Sequence, residues 1–555
     1  MTILGPVLLV LVLALPLGMA LAAPFLDRPL RLLPWAAAPG VVAALAVAPG
    51  TGVDVPVLVL GLSLALDRTG AIFLGVGSLL WLLAGAYARS YMADSDRQRE
   101  FSAFWLVTLA GTLGTFIAAD IVTFYMSFSL MSLASYALVV HDRTAAAWRA
   151  ARIYIVLAVF GETALLAAVI VAATAADSLA IADVRSGLAA SPWRDWAIVG
   201  FVVAFGMKAG LVPLHVWLPL AHPQAPTPAS AVLSGVIVKA GVIGLVRFAS
   251  PDGGAGWGET LVLLGLATTF YGALVGLAQS DAKALLAYST LSQMGVLATV
   301  IGAALDTPDA APAKAAISLY AAHHGLAKGA LFLGIGVVAA SGKAALRWVM
   351  PVVALMALSI AGLPLTGGAL AKIAIKDPLG DGVAGTLVTV SAVTTALLML
   401  RFVWLQATAE RRDESPPLGL VLPWAATVAA ALVLPWILFP AQSGHSAGYA
   451  FGPGNLWSGL WPVLLALVVA ALAWRLRGPA VTLPQGDIVV IAEAAARAIR
   501  SAWAGFAGAM SSLRLPRISS AVPGRFIGFV EKRSEQWSVV GPVLLLIVLI
   551  GAALL

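Results

Sequence analysis

The sequence predicts an all-α polytopic membrane protein with about 14–16 transmembrane helices, some of them broken, plus a lateral amphipathic helix near the C-terminus. Three observations carry this expectation. Apolar residues make up 61% of the 555-residue chain and charged residues only 11%, and mean hydropathy is +0.97, beyond what a globular domain shows. The apolar residues fall in long continuous runs, whereas a membrane barrel would alternate over short segments. Clusters of Pro and Gly interrupt two of the runs, and within lipid such backbone survives only inside protein or beside a water-filled cavity.

Runs long enough to span, about 17–25 residues each, fall at 3–23, 33–49, 70–92, 101–118, 121–140, 153–174, 196–217, 229–248, 259–278, 285–304, 316–338, 348–370, 384–405, 419–439, 457–474 and 539–555. The first has no basic residues ahead of it and reads as a span rather than a cleaved signal. The second is short and rich in Gly and Pro. Numbered this way, alternate connections hold Arg28 and Arg31; Arg97 and Arg99; Arg143, Arg149 and Arg152; Lys283; Lys343 and Arg347; Arg411 and Arg412; Arg475 and Arg477. The other connections hold little beyond Arg68, Arg185, Arg194 and Lys314. The asymmetry places the first set in the cytoplasm and the N-terminus outside a bacterial inner (plasma) membrane. Between Gly478 and Ser538 the composition shifts, with Glu493, Arg497 and Arg500 among apolar residues at helical spacing. A helix along a membrane or partner surface fits this stretch, as does a plain tether to the last span.

The organising segment runs from Gly206 to Arg247, GMKAGLVPLHVWLPLAHPQAPTPASAVLSGVIVKAGVIGLVR. Pro219, Pro223, Pro226 and Pro228 form a hinge, with Lys208 before it and Lys239 after it. A lysine at the centre of a spanning helix costs on the order of 2.5–3.5 kcal/mol on insertion, so two of them beside freed backbone point to an ion path. Glu162 lies near the middle of the sixth run, in AVFGETALLAAV, and Asp120 begins the fifth. His323, His324 and Lys328 lie in LYAAHHGLAKGALFL, and Lys372 follows the break GLPLTGGALAK. Helical spacing puts His215 two turns from Lys208 on one face, roughly 10 Å away, and makes His324 and Lys328 neighbours. Removal from water favours a neutral lysine and a nearby carboxylate favours a charged one, so such a row can hold and release protons. Each charge taken alone also fits a structural pair or a snorkelling side chain.

Other chemistries do badly. The net charge of +7 belongs to loop arginines, and without a basic cluster interleaved with aromatics nucleic acid is not an expected partner. The chain has no cysteine, so it offers no disulfide, thiolate zinc site or iron–sulfur ligation. No Walker loop, G-x-S-x-G or H-E-x-x-H occurs. His323 and His324 point about 100° apart on a helix, a poor geometry for shared metal ligation. We expect no metal site and no cofactor in this chain, and no catalytic redox residue.

The 206–247 segment resembles the hallmark stretch of the proton-translocating, antiporter-like subunits of respiratory complex I, membrane-bound hydrogenases and multisubunit cation/proton antiporters. AHPQAPTPASAVLSGVIVKAG is most similar to the large membrane subunit of hydrogenase-4 and formate hydrogenlyase. DAKALLAYSTLSQMG, HHGLAKGALFLGIG, GLPLTGGALAK, SAVTTALLMLRF and LALDRTGAIFL resemble further family segments in order, over about residues 60–405. The resemblance implies N-terminal helices over 1–118, an antiporter-like core over 119–405, additional helices over 406–476, a lateral helix and linker over 477–538, and a last span over 539–555.

By position, the resemblance makes Lys208, Lys239, Lys328 and Lys372 the lysines of a proton line, with His215 and His324 beside it. Two positions depart from the pattern. Ser129 in FYMSFSLMSLASY stands where the family carries the glutamate paired with Lys208, and Tyr320 replaces a histidine. On depth and charge alone, Glu162 is the stand-in carboxylate, and Asp120 is the other carboxylate of the path. The expected partners are other membrane subunits, membrane lipid, protons, and peripheral iron–sulfur, hydrogenase-like or quinone-reductase subunits that do the redox work. Three other readings stay open: a cation/proton antiporter subunit, an energy-coupling subunit for inorganic carbon uptake with a zinc-binding partner, and a non-pumping structural subunit.

Overall fold

The structure, a computed structural model, describes residues 3–56, 61–248, 256–305, 307, 309–409, 415–476, 482–490 and 493. Residues up to Val490 form one compact unit. The expected last span, 539–555, lies outside the described residues, as does nearly all of the expected lateral helix.

Described helices are α1 (Leu4–Ala22), α2 (Leu33–Ala46), α3 (Arg68–Tyr91), α4 (Gln98–Ile117), α5 (Ile121–Val139), α6 (Ala145–Ala176), α7 (Ile181–Ala189), α8 (Arg194–Ala209), α9 (Trp217–Gln224) and α10 (Thr227–Phe248). They continue with α11 (Trp257–Leu277), α12 (Ala282–Leu305), α13 (Ala311–Ala339), α14 (Lys343–Ala361), α15 (Gly367–Ala374), α16 (Lys376–Leu379), α17 (Val383–Thr408), α18 (Leu418–Ser443) and α19 (Pro453–Leu476). Thirteen described helices are long and apolar enough to cross a membrane. The helix α2 is shorter, as its Gly and Pro content led us to expect, and α8 and α9 form a broken span. One feature absent from the sequence expectation is a small antiparallel hairpin, β1 (Gly52–Val55) with β2 (Leu62–Ala65).

The breaks occur where the backbone chemistry requires them. Gly210 ends α8 at φ 86° and Gly362 ends α14 at φ 95°, a left-handed conformation that costs glycine little and closes a helix C-terminus. Residues 211–216 are not helical; the Val212 amide donates to Thr268 Oγ1 (3.1 Å), and Trp217, at the start of α9, donates to the Met207 carbonyl (2.8 Å). Within α10, Leu233–Ile237 takes a π turn, a local widening that recurs at functional sites.

Burial separates inner helices from outer ones. The most apolar windows of α10 and α12 are wholly buried and that of α13 is 94% buried, against 17% for α19. Small residues let the inner helices approach: a Cβ on Gly235 of α10 would meet the Gly325 carbonyl of α13 at 2.9 Å, the close-packing device of membrane bundles. Buried arginines serve helix ends. Arg247 donates to the carbonyls of Thr115, Phe116 and Ala118 at the end of α4, where the last carbonyls lack intrahelical partners.

Candidate functional site

The first lysine site lies where α8 ends. Lys208 is fully buried. Its Nζ donates to Ser132 Oγ at 2.6 Å and to the Tyr154 hydroxyl at 3.2 Å. The rings of Phe128, Tyr154 and Trp217 surround it, with centroids 5.3–5.7 Å away, where the negative faces of the rings attract a cation. Glu162, on α6, is 7% exposed and interacts with Lys208, Ser132 and Ser129. Ser132 lies near both groups, while Glu162 Oε1 and Ser129 Oγ have no hydrogen-bond partner among the described residues.

The second site lies among the inner helices. Lys239 Nζ is 2.7 Å from His324 Nδ1, and which of the two donates depends on the ring tautomer and the protonation of the amine. The same Nζ donates to the Ser234 carbonyl at 2.6 Å, a carbonyl within the π turn of α10. Ser234 Oγ meets Thr290 Oγ1 at 2.7 Å, and Thr290 donates to the Leu286 carbonyl at 3.0 Å. Lys328 donates to that same carbonyl at 3.0 Å. Lys239 and His324 thus bond directly, and Lys328 shares the Leu286 carbonyl with Thr290 nearby, so the three lie in one buried cluster across α10, α12 and α13.

Adjacent histidines split the line, as their helical spacing predicts. His324 faces Lys239, whereas His323 reaches Ser359 Oγ of α14 at 2.9 Å. Gly367 and Gly368 leave the space that the His323 ring fills: added Cβ atoms would come within 2.6 and 3.1 Å of it. Lys372 follows on α15 and donates to the Ala361 carbonyl beside the break at Gly362.

Two expected residues sit differently. His215 is not on a helical face with Lys208, because the helix ends at Gly210 and residues 211–216 turn away. Its Nε2 instead lies 3.3 Å from Asp487 Oδ2, which also accepts from Tyr288 (2.7 Å). Asp120 is the N-cap of α5. It accepts from the Thr123 amide (2.7 Å), the Thr123 hydroxyl and the Ser63 amide (2.8 Å), so its oxygens are committed to holding the helix start and β2.

Sequence reasoning left out several neighbours. His222 is fully buried and stacks on Phe332 at 4.7 Å, within electrostatic reach of Lys283, Lys328 and Lys239. Lys283 donates to the Ala225 carbonyl at 2.8 Å. His222 lies in the quoted Pro-dense segment, so its position was available; the hydroxyls of Ser132 and Tyr154 carried no comparable signal. Tyr320, in place of a histidine, donates to Gln293 (2.5 Å).

Together these features define a polytopic membrane protein that carries a row of buried lysines and histidines. The chain belongs to the NADH:quinone oxidoreductase/Mrp antiporter transmembrane family, which it matches over residues 118–398. It is 32% identical over 295 residues to hydrogenase-4 component B of Escherichia coli, covering 50% of this chain and 43% of that protein. It is 31% identical over 345 residues to Na⁺/H⁺ antiporter subunit A1 of Staphylococcus aureus, covering 56% of this chain and 42% of that protein. The chain thus spans less than half the length of either relative. Among solved structures, the Mrp complex from a Dietzia species matches with a TM-score of 0.73 at 26% identity, over 96% of this chain and 63% of its counterpart.

Proposed function

We propose that this chain is the proton-translocating membrane subunit of a complex I-like assembly, of the hydrogenase or quinone-reductase type. The observation that carries the reading is the Lys239–His324 contact at 2.7 Å, buried in helices enclosed by the rest of the bundle. A lysine and an imidazole in direct contact can pass a proton between them, since both side chains exchange protons readily and neither offers oxygen ligands to Na⁺. The network then divides the work. Lys283 and His222 lie at the end that the loop charges assign to the cytoplasm, and bring protons toward Lys328 and Lys239. His323 and Ser359 lead on toward Lys372 at the other end. Lys208, tuned by Glu162 through Ser132, is the element that responds to neighbouring subunits. Peripheral subunits supply the redox energy, and the chain sits in a bacterial inner membrane with its N-terminus outside.

The test uses the whole complex purified with its co-purifying subunits and reconstituted in vesicles. Acidification of the lumen is followed with a pH dye while the redox donor is supplied. Proton movement that stops in Lys239→Ala with assembly intact supports the reading. Unimpaired movement after joint replacement of Lys208, Lys239 and Lys328 by alanine overturns it in favour of a structural subunit. The similarity to Na⁺/H⁺ antiporter subunit A1 favours one second reading, a cation/proton antiporter subunit, which predicts Na⁺-driven exchange without any redox donor.

A further inference from the structure

At the end of the bundle beyond Lys372, a cavity of about 430 Å³ opens where α15, α16, α17 and α19 meet. That volume lies within the range of pockets that hold ordered small ligands, about 300–1,000 Å³. One end is polar and basic. Lys372 and Lys376 line it beside Asn455 and Ser458, and Lys376 Nζ donates to Ser458 Oγ at 2.9 Å. Asp381 also lines the cavity, and Asp377, 3.3 Å from His445, is within electrostatic reach of Lys376, so the two lysines and His445 stand among two carboxylates. The opposite wall is apolar and includes Val390 of α17. Val390 is 41% exposed, so the cavity runs from the basic helix ends to the outer face of a spanning helix.

A basic, hydrogen-bonding end joined to an apolar slot open on a membrane face matches one class of ligand. We propose that this cavity binds an anionic glycerophospholipid. Its phosphate sits against Lys376 and Lys372, its glycerol esters face Asn455 and Ser458, and one acyl chain leaves past Val390. An aqueous vestibule would not require an apolar opening onto the lipid face, and a zwitterionic headgroup would gain little from paired lysines. The assignment shares Lys372 with the proposed proton line, but its readout, lipid retention, is separate from proton movement.

The full complex, purified from native membranes in mild detergent, is analysed by native mass spectrometry for retained lipid. It is then exchanged into nanodiscs of phosphatidylglycerol or of phosphatidylcholine and analysed again. Retention of phosphatidylglycerol over phosphatidylcholine is expected. Lys376→Gln should reduce that retention about fivefold, the weight of one lysine facing an anionic lipid. Val390→Trp, which narrows the lateral opening without changing charge, should reduce it as well, and the exposed Lys343→Gln should not. Equal retention of both lipids, retention unchanged in both cavity variants, or a helix of a co-purifying subunit cross-linking at position 390 would each overturn the assignment.

Discussion

The two buried lysines either side of the hinge solve the same problem by different means. Lys208 is held by hydroxyls and ringed by aromatics, with Glu162 within electrostatic reach. Lys239 touches an imidazole directly and draws its second partner from a backbone carbonyl in the π turn. The first arrangement stabilises a charge and lets Glu162 alter it at a distance. The second places two proton-exchanging groups in contact with no carboxylate to trap the proton. On the proposed reading, the Lys208 site exerts control and the Lys239 site conducts.

The largest effect that can break this division comes from Lys239→Ala. Without the amine, His324 loses its only hydrogen-bond partner among the described residues. We expect donor-driven proton movement to fall at least about a hundredfold, the low end of what a positioned proton-transfer group contributes. Measurement in reconstituted vesicles with assembly checked by gel filtration decides it. A rate within a factor of two or three of the native complex would return Lys239 to a structural role.

Glu162→Gln should act less severely, because it changes the control site and leaves the conducting contact whole. A roughly tenfold loss is expected, equivalent to about 1.4 kcal/mol. Moving the carboxylate back, by Ser129→Glu in the Glu162→Gln background, should restore much of it. If Glu162→Gln has no effect while Lys208→Ala abolishes movement, the carboxylate is not the lysine's partner.

Ser132→Ala sharpens the same comparison. It removes a hydroxyl near both Lys208 and Glu162 while Tyr154 continues to hold the amine. A loss of a few fold is expected, smaller than that of Glu162→Gln. If Ser132 carries the coupling, the double variant should be no worse than Glu162→Gln alone, since residues in one network do not add. Additive losses would mean that the two side chains act separately.

Depth and type were legible in the sequence, whereas partnership was not. Ionisable residues inside apolar runs named Lys208, Lys239, Lys328, Lys372 and Glu162, since lipid makes such charges conspicuous, and the opposed directions of His323 and His324 followed from helical geometry. The Lys239–His324 pair spans 85 residues of sequence, and only the close crossing of Gly235 over Gly325 brings it together. His215 illustrates the opposite failure. Spacing placed it on a face with Lys208, but a left-handed Gly210 ends the helix between them. Asp120 looked like an intramembrane carboxylate because a helix that starts in an apolar run hides its cap. The partner of His215, Asp487, comes from a stretch where composition showed only a change in character.

That last contact gives the smallest and most local prediction. Burial pushes the Asp487 carboxyl upward, but hydrogen bonds from His215 and Tyr288, the charge of His215 when protonated and the Ile488 amide outweigh it and hold the group at about 2, below its ordinary 3.8. A carboxyl lowered in the folded state contributes stability that is present above its unfolded value and is lost as pH falls through the folded one. The pair pins residues 482–490 to the break after α8, so Asp487→Asn should loosen the break rather than the lysine sites. The group is not deeply enclosed, and a difference under about 1 kcal/mol is expected. Thermal unfolding of the native and variant complexes should differ at neutral pH, and the difference should shrink between about pH 4 and pH 2. If the difference persists unchanged through that window, the carboxylate's charge is not what holds the segment, and its other contacts, such as the Leu483 amide on the Ala278 carbonyl, hold it instead.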